Sequence, residues 1–197
     1  MKLIIILVSI ILLIVLFQSF IVMSTNKTEE QKYSVVRKYD DFEIRFYPST
    51  TIASINSDAK TYKDLSGPGF QKLAGYIFGG NEANTKISMT SPVQMEINDT
   101  VSTMSFVMPS AYNKENLPKP NNLDVQIKNT ADEYVAALKF GGYASDKDLK
   151  FYSEKLQILL KENGINSVGN YRFLGYNPPF QFIGRKNEII VTVDWKE

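Results

Sequence analysis

From Phe42 to Trp195, stretch after stretch of this chain alternates apolar and polar side chains with a period of two. Successive residues on a strand point to opposite faces, so the pattern predicts half-buried strands with one face on a core and one in water. Phe42, Ile44 and Phe46 alternate with Glu43, Arg45 and Tyr47, and strand character returns from Thr51 to Ile55. Ile87, Met89, Val93, Met95 and Ile97 oppose Ser88, Thr90, Gln94 and Glu96, and Met104, Phe106 and Met108 form the next run before Pro109. Leu123, Val125 and Ile127 make another inward face, and a turn over 129–132 returns the chain through Tyr134, Ala136, Leu138 and Phe140. Tyr171–Tyr176 and Glu188–Trp195 complete the set, with Ile189, Val191, Val193 and Trp195 inward.

Two segments carry helical spacing instead. Leu149, Tyr152, Leu156, Leu159 and Leu160 share one face, with Ser145 and Asp148 at the start and Gly164 at the end. The other helix covers roughly 59–78 and is either kinked at Gly67-Pro68-Gly69 or begins at Pro68. The elements then repeat as strand, helix, two strands. Pro92 follows Tyr62 by 30 positions, and Pro178 follows Lys147 by 31. Two βαββ halves with mostly antiparallel strands predict an α+β domain, a curled sheet or open barrel with both helices outside.

Ahead of this domain, Leu3 to Met23 is uncharged and broken only by Ser9, Gln18 and Ser19. Its length suffices to cross ~30 Å of hydrocarbon as a helix. A cleaved signal peptide is the alternative, but the run exceeds the usual apolar core and lacks a small-x-small cleavage pattern. The expected organisation is a transmembrane anchor over 1–23, a polar linker over 24–32 and a domain over 33–197. The expected location is a single-pass membrane protein with the domain extracytoplasmic.

Composition removes most catalytic chemistry. The chain has no histidine and no cysteine, which excludes serine–histidine triads, cysteine nucleophiles and the usual zinc sites. A net charge of +1 offers no basic stripe for nucleic acid. Asp40-Asp41, Asp132-Glu133 and Asp146/Asp148 read as solvated surface, and no metal site is expected. Gly79-Gly80-Asn81-Glu82 reads as a helix end and turn, since no Gly-Lys-Ser/Thr follows. What stands out is apolar bulk where water is expected. Phe180, Phe182 and Ile183 sit in the proline-containing stretch 177–184, and Phe70 and Phe78 widen the apolar face of the first helix. Such residues either line a hydrophobic groove or fold back onto the core.

Lys86-Ile87-Ser88-Met89-Thr90-Ser91-Pro92-Val93 after Gly79-Gly80, then Phe140-Gly141-Gly142-Tyr143-Ala144, Tyr176-Asn177-Pro178-Pro179 and Gly184-Arg185-Lys186-Asn187-Glu188-Ile189, resemble the SOUL haem-binding protein family. The opening Tyr39-Asp40-Asp41-Phe42-Glu43-Ile44-Arg45 is also similar to the family's first strand. The resemblance covers nearly the whole domain. It implies a distorted antiparallel β-barrel of two pseudo-symmetric halves flanked by two helices, binding haem or a related tetrapyrrole without catalysis. It further implies a cleft between the first helix and the loop before Gly184, here Phe70, Leu73 and Ile77 facing Phe180 and Phe182. Lys72, and more loosely Lys63, would pair with a propionate at the rim. Some members are proposed to use an axial histidine; here only Tyr, Met or Lys remains for the iron, or the ring is held by its faces alone. A binding module for another hydrophobic effector, an enzyme acting on a tetrapyrrole or lipid, and a groove for a protein partner are the rival readings. A monomer is expected.

Overall fold

A computed structural model describes residues 2–196; Met1 and Glu197, the outer ends of the expected anchor and domain, lie outside the described residues. In chain order the elements are α1 (Lys2–Thr25), β1 (Glu29–Glu30), β2 (Ser34–Lys38), β3 (Phe42–Tyr47), β4 (Thr51–Ser57), α2 (Tyr62–Ile77), β5 (Thr90–Ser91), β6 (Val93–Glu96), β7 (Ser102–Val107), β8 (Gln126–Asn129), β9 (Glu133–Phe140), α3 (Asp146–Glu162), β10 (Ser167–Gly175) and β11 (Asn187–Val193). Nine strands form one sheet in the order β2-β3-β9-β11-β10-β6-β7-β4-β8. Every pairing within that sheet is antiparallel.

The order carries the repeat. One half runs β4-α2-β6-β7 and lies as β4-β7-β6, and the other runs β9-α3-β10-β11 and lies as β9-β11-β10. The halves meet where β6 pairs β10, Met95 opposite Phe173. The strand before each half attaches to the outer strand of the other, β3 on β9 and β8 on β4. The sheet does not close. β2 and β8 are its two edges, each short and carrying cations, Arg37 and Lys38 on one and Lys128 on the other, which disfavours edge-to-edge pairing. The barrel implied by the resemblance is therefore an open sheet in this chain.

Both sheet-packing helices lie on one face, α2 over β4 and β7, α3 over β9, β10 and β11. Beneath them is the main core, including Ile44, Ile55, Leu65, Leu73, Met104, Leu138, Leu156, Ile189 and Val191. Thr61 caps α2 by accepting from the Asp64 backbone N–H, and Ser145 caps α3 from Asp148 in the same way. The helix α2 runs unbroken from Tyr62 with Pro68 inside it; the proline removes one backbone bond without ending the helix. At Gly69 the helix lies close to the sheet: a Cβ there would meet Met104 Cε at 3.0 Å and Ile55 Cδ1 at 3.3 Å, so a larger residue would require those side-chain tips to shift by a few tenths of an ångström. At the far end of α3, Gly164 takes φ +66° after the Asn163 cap, the left-handed conformation the sequence motif requires.

One strand is displaced from its expected place. Leu123, expected inward, is 94% exposed. Asn122 makes a turn, its side chain accepting from the Asp124 N–H and its carbonyl from Val125 N–H, so pairing begins only at Gln126. Inward polarity elsewhere is tightly enforced. Val191 is fully buried, and Val191→Asp is expected to cost ~3 kcal/mol or more, read as a fall of roughly 6–12 °C in the thermal midpoint.

Candidate functional site

The expected site residues fall into two groups. Phe70, Lys72, Leu73 and Ile77 share α2. Phe70 is partly exposed and tilts its ring against Phe106 at 5.3 Å between centroids. Lys72 is half-exposed and pairs with Asp124 at 2.7 Å. Leu73 and Ile77, expected to line the cleft, are instead buried in the main core and present no surface of their own, because they face the sheet; Phe78, one residue beyond α2, is exposed. Phe180 and Phe182 stand elsewhere, in the loop after β10, where their backbone is hydrogen-bonded to Gln18 of α1. Phe70 lies two turns from the α2 end that meets this region, ~12 Å along the axis. Two clefts of ≈390 and ≈500 Å³ open on the surface, and none of the six residues lines either.

The larger cleft lies between α3 and the β6–β10 seam. Met95, Ile97, Leu149 and Phe173 make its apolar lining, with Lys150 and Asp146 at its polar side. Tyr171 also lines it. Its hydroxyl is buried and lacks a well-formed hydrogen bond among the described residues; burial raises its pKa, and a weak interaction with the neighbouring Ser167 side chain offsets that in part.

The family-like motif around Gly184 is a staple. The Arg185 guanidinium lies over the Tyr143 ring at 4.2 Å and donates to the carbonyls of Pro178 at 2.7 Å and Gln181 at 2.6 Å. Asn187 donates its side-chain amide to the Gly142 carbonyl at 2.8 Å, and Asn177 accepts from the Lys186 N–H at 2.6 Å. Together these bonds hold the loops over 141–145 and 177–186 to one another.

What alternation missed is the opposite face of the sheet. There Tyr47, Val135, Ala137, Leu174, Tyr176 and Ile190 form a second, smaller core, with Tyr33 packed against it. Within it Arg45 and Glu188 are both fully buried and paired twice, Nη1 to Oε2 at 2.8 Å and Nη2 to Oε1 at 3.0 Å. Arg45 also binds Glu43 at 2.9 Å and lies over the Tyr33 ring at 4.2 Å. Tyr176 donates to Glu188 Oε2 at 2.7 Å. Burial alone would depress the Arg45 guanidinium, but the hydrogen bond and charge of Glu188 outweigh it and keep it protonated beyond its usual range. Burial, then the Glu188 charge, pushes the Tyr176 hydroxyl well up. Burial also opposes ionisation of Glu43, but Arg45 overrides it and holds that carboxyl below its ordinary value. Nearby, Glu133 is not simply solvated, for Arg172 grips both its oxygens at 2.8 and 2.7 Å. The charged residues Arg45 and Glu188 lay within the quoted motifs; only Arg45 sits between apolar neighbours, Ile44 and Phe46, while Glu188 follows Asn187 near the start of β11. Among the described residues there is no cluster of three or more acidic side chains able to hold a metal ion.

Solved structures share this architecture of duplicated βαββ units. The C-terminal domain of EcmrR superposes with a TM-score of 0.59 at 11% identity, over 83% of this chain and 99% of that one. A structure of SAV2435 bound to tetraphenylphosphonium superposes with a TM-score of 0.51, also at 11% identity, over 78% of this chain and 94% of that one. At such identities the likeness is one of fold alone. Sequence narrows the class: residues 28–192 match the family described as SOUL heme-binding protein, and the chain belongs to that family. It is 30% identical to heme-binding protein 1 of Xenopus laevis over 155 residues, 75% of this chain and 81% of that protein. It is 30% identical to heme-binding protein 2 of Mus musculus over 156 residues, 75% of this chain and 76% of that protein. The matched region begins after α1.

Glu188→Gln leaves the buried Arg45 with only the partly exposed Glu43 as counter-charge and is expected to destabilise by about 3 kcal/mol in urea unfolding, whereas the double variant Arg45→Met/Glu188→Leu recovers most of that loss. The tyrosines set an alkaline limit. Burial pushes Tyr47 from its ordinary value of 10.0 up to about 12. A folded-state pKa raised above the unfolded one favours the protonated fold, so this contribution is complete below pH 10 and lost between pH 10 and about 12. Tyrosinate absorbance and circular dichroism, followed together, should change in that window.

Proposed function

We propose that the chain is a membrane-anchored, non-enzymatic and monomeric binding module for haem or a related tetrapyrrole, with α1 as an uncleaved single-pass anchor and the domain on the extracytoplasmic side. Family membership and the haem-binding names of its relatives carry the ligand class. The exposed, uncharged surface of α1 supports the anchor.

The ligand face in this reading is the outer edge of α2. Phe70 and Phe78 offer aromatic surface over a rigid floor of Leu73 and Ile77, and Lys72, already paired to Asp124, can exchange that partner for a propionate at the rim. Affinity would come from apolar burial at ~25 cal/mol per Å², with the rim ion pair adding ~1 kcal/mol or less. Phe180 and Phe182, which the family resemblance also assigns to the ligand, form a separate arm of the test. The residues fit a tetrapyrrole held by its faces better than one fixed through iron, since neither histidine nor cysteine is present. One observation favours a second location: Tyr171, whose oxygen is of a type able to ligate iron, lines the ≈500 Å³ cleft beside α3, and its hydroxyl lacks a well-formed hydrogen bond among the described residues.

Titration with haemin and iron-free protoporphyrin distinguishes these. For the α2 face, the two ligands should bind within about tenfold of each other, a difference under ~1.4 kcal/mol. Phe70→Asp should then weaken both, Lys72→Glu should do so more modestly, and Tyr171→Phe should be silent. If Tyr171→Phe alone shifts the haemin Soret band and protoporphyrin binds a hundredfold more weakly, the ligand lies beside α3. Loss of binding in Phe182→Asp with Phe70→Asp unaffected would move it to the loop. No saturable binding of either porphyrin would favour another hydrophobic effector.

A further inference from the structure

The loop Pro178–Ile183 has an unusual balance: its side chains other than Gln181 are apolar and mostly face outward, while most of its backbone groups are hydrogen-bonded within the protein. Phe180, Phe182 and Ile183 are 58%, 53% and 52% exposed. The carbonyl of Pro178 accepts from Arg185 and from the Gln181 N–H, that of Pro179 from the Tyr143 hydroxyl at 3.0 Å, and that of Gln181 from Arg185. Gln181, itself buried, donates its side-chain amide to the Ile183 carbonyl at 3.0 Å. The remaining bonds come from α1. Gln18 donates to the Phe180 carbonyl at 3.0 Å and accepts from the Phe182 N–H at 3.1 Å, and Thr25 donates its hydroxyl to Gln181 at 2.9 Å. A water-facing loop needs none of this, because solvent would supply the partners. Irregular backbone at membrane depth requires it, because lipid supplies none.

The depth of Gln18 fixes where the loop lies. Crossing the hydrocarbon takes about 20 residues of helix, so a span beginning at Leu3 ends near Val22. Gln18 lies four residues short of that boundary, ~6 Å on the lipid side at 1.5 Å per residue. Tilting the helix fits more residues into the slab and moves the boundary further on. A glutamine in such a position is costly unless its amide is used, and here it is 1% exposed and used twice. Its neighbours on α1, Phe17, Ser19 and Phe20 among them, remain exposed on the other sides of the helix. The apolar surface of α1 and that of the loop are therefore continuous. Tyr143, half in solvent with Arg185 stacked on it, supplies the aromatic and cationic pair typical of the headgroup level.

We infer that Pro178–Ile183 is a second membrane contact: Phe180, Phe182 and Ile183 insert into the outer edge of the bilayer beside α1, and Gln18 is the clamp that holds them there. The inference rests on the reading of α1 as an uncleaved anchor. The bilayer is the occupant because the helix that holds the loop is itself lipid-facing on both sides of the clamp.

The absence of cysteine makes the test direct. Phe182→Cys in the full chain, labelled with an environment-sensitive fluorophore and reconstituted into phosphatidylcholine nanodiscs, is compared with Leu123→Cys, a solvent-exposed site. The label at 182 should emit to the blue, resist aqueous iodide and be quenched by lipids carrying a nitroxide on the acyl chain; the label at 123 should do the reverse. Adding Gln18→Leu keeps the span apolar, so the protein stays in the nanodisc, but should raise iodide quenching at 182 severalfold. A label at 182 as open to iodide as that at 123, in protein that resists carbonate extraction at full mass, overturns the loop contact and leaves the anchor standing. A label shielded from both iodide and lipid quencher overturns it in favour of a protein neighbour. Recovery of a soluble chain shortened by the apolar run overturns anchor and contact together.

Discussion

A guanidinium and a carboxylate with no access to water join β3 to β11 across β9. Neighbouring strands lie about 4.8 Å apart, so Arg45 and Glu188 must reach over the strand between them. That strand carries Ala137 on the same face, small enough to leave the side chains room. Removing Arg45 strands Glu188, and removing Glu188 leaves Arg45 only its contact with Glu43, so the pair ties the register of three strands together. Tyr47, Tyr176 and Tyr33 then close over it and make a second apolar layer where an ordinary half-buried sheet would meet water. With both faces of its central strands covered, the sheet holds α2 and α3 on one side and leaves the other side free to receive the segment arriving from α1.

Much of this was legible from residue spacing. The strands Phe42–Tyr47 and Glu133–Phe140, the Ser145 cap and Gly164 end of α3, and the βαββ duplication follow from periodicity and capping chemistry, because those signals are local. What was not legible depends on contacts distant in sequence. Alternation assigned Arg45 and Glu188 to water, since nothing near either residue announces that Tyr33 folds over them. Leu123 fitted the strand pattern, but the side chain of Asn122 turned the chain before pairing could begin. Pro68 suggested a break in α2, yet helix packing on Met104 and Ile55 outweighs one missing hydrogen bond.

The candidate site shows the same division. Helical spacing placed Phe70, Leu73 and Ile77 on one element, and the family resemblance added Lys72 there, but spacing cannot separate a residue that lines a surface from one that supports it. Leu73 and Ile77 are supports. Phe180 and Phe182 were conspicuous as apolar loop residues, and that signal was sound; the element beside them is α1, and the clue lay in the single amide of Gln18 within an otherwise apolar run. The motif around Gly184 likewise has a physical meaning: Arg185 and Asn187 use fixed donor geometry to bind two loops whose own backbones cannot form a ladder.

The segment between α1 and β2 passes from the helix to the sheet without slack. A free stretch of nine residues, 24–32, would let a domain wander up to ~30 Å from its point of attachment. Instead β1 pairs with β5, Gln31 accepts from Gln94 at 2.7 Å, and Glu30 meets Lys186 at 3.3 Å. The connection behaves as a strap, and the body it carries has a fixed heading relative to the helix. A ligand approaching from the side of the helix therefore meets the same face of the domain on every encounter, and no tether entropy is lost in orienting that face at the moment of capture.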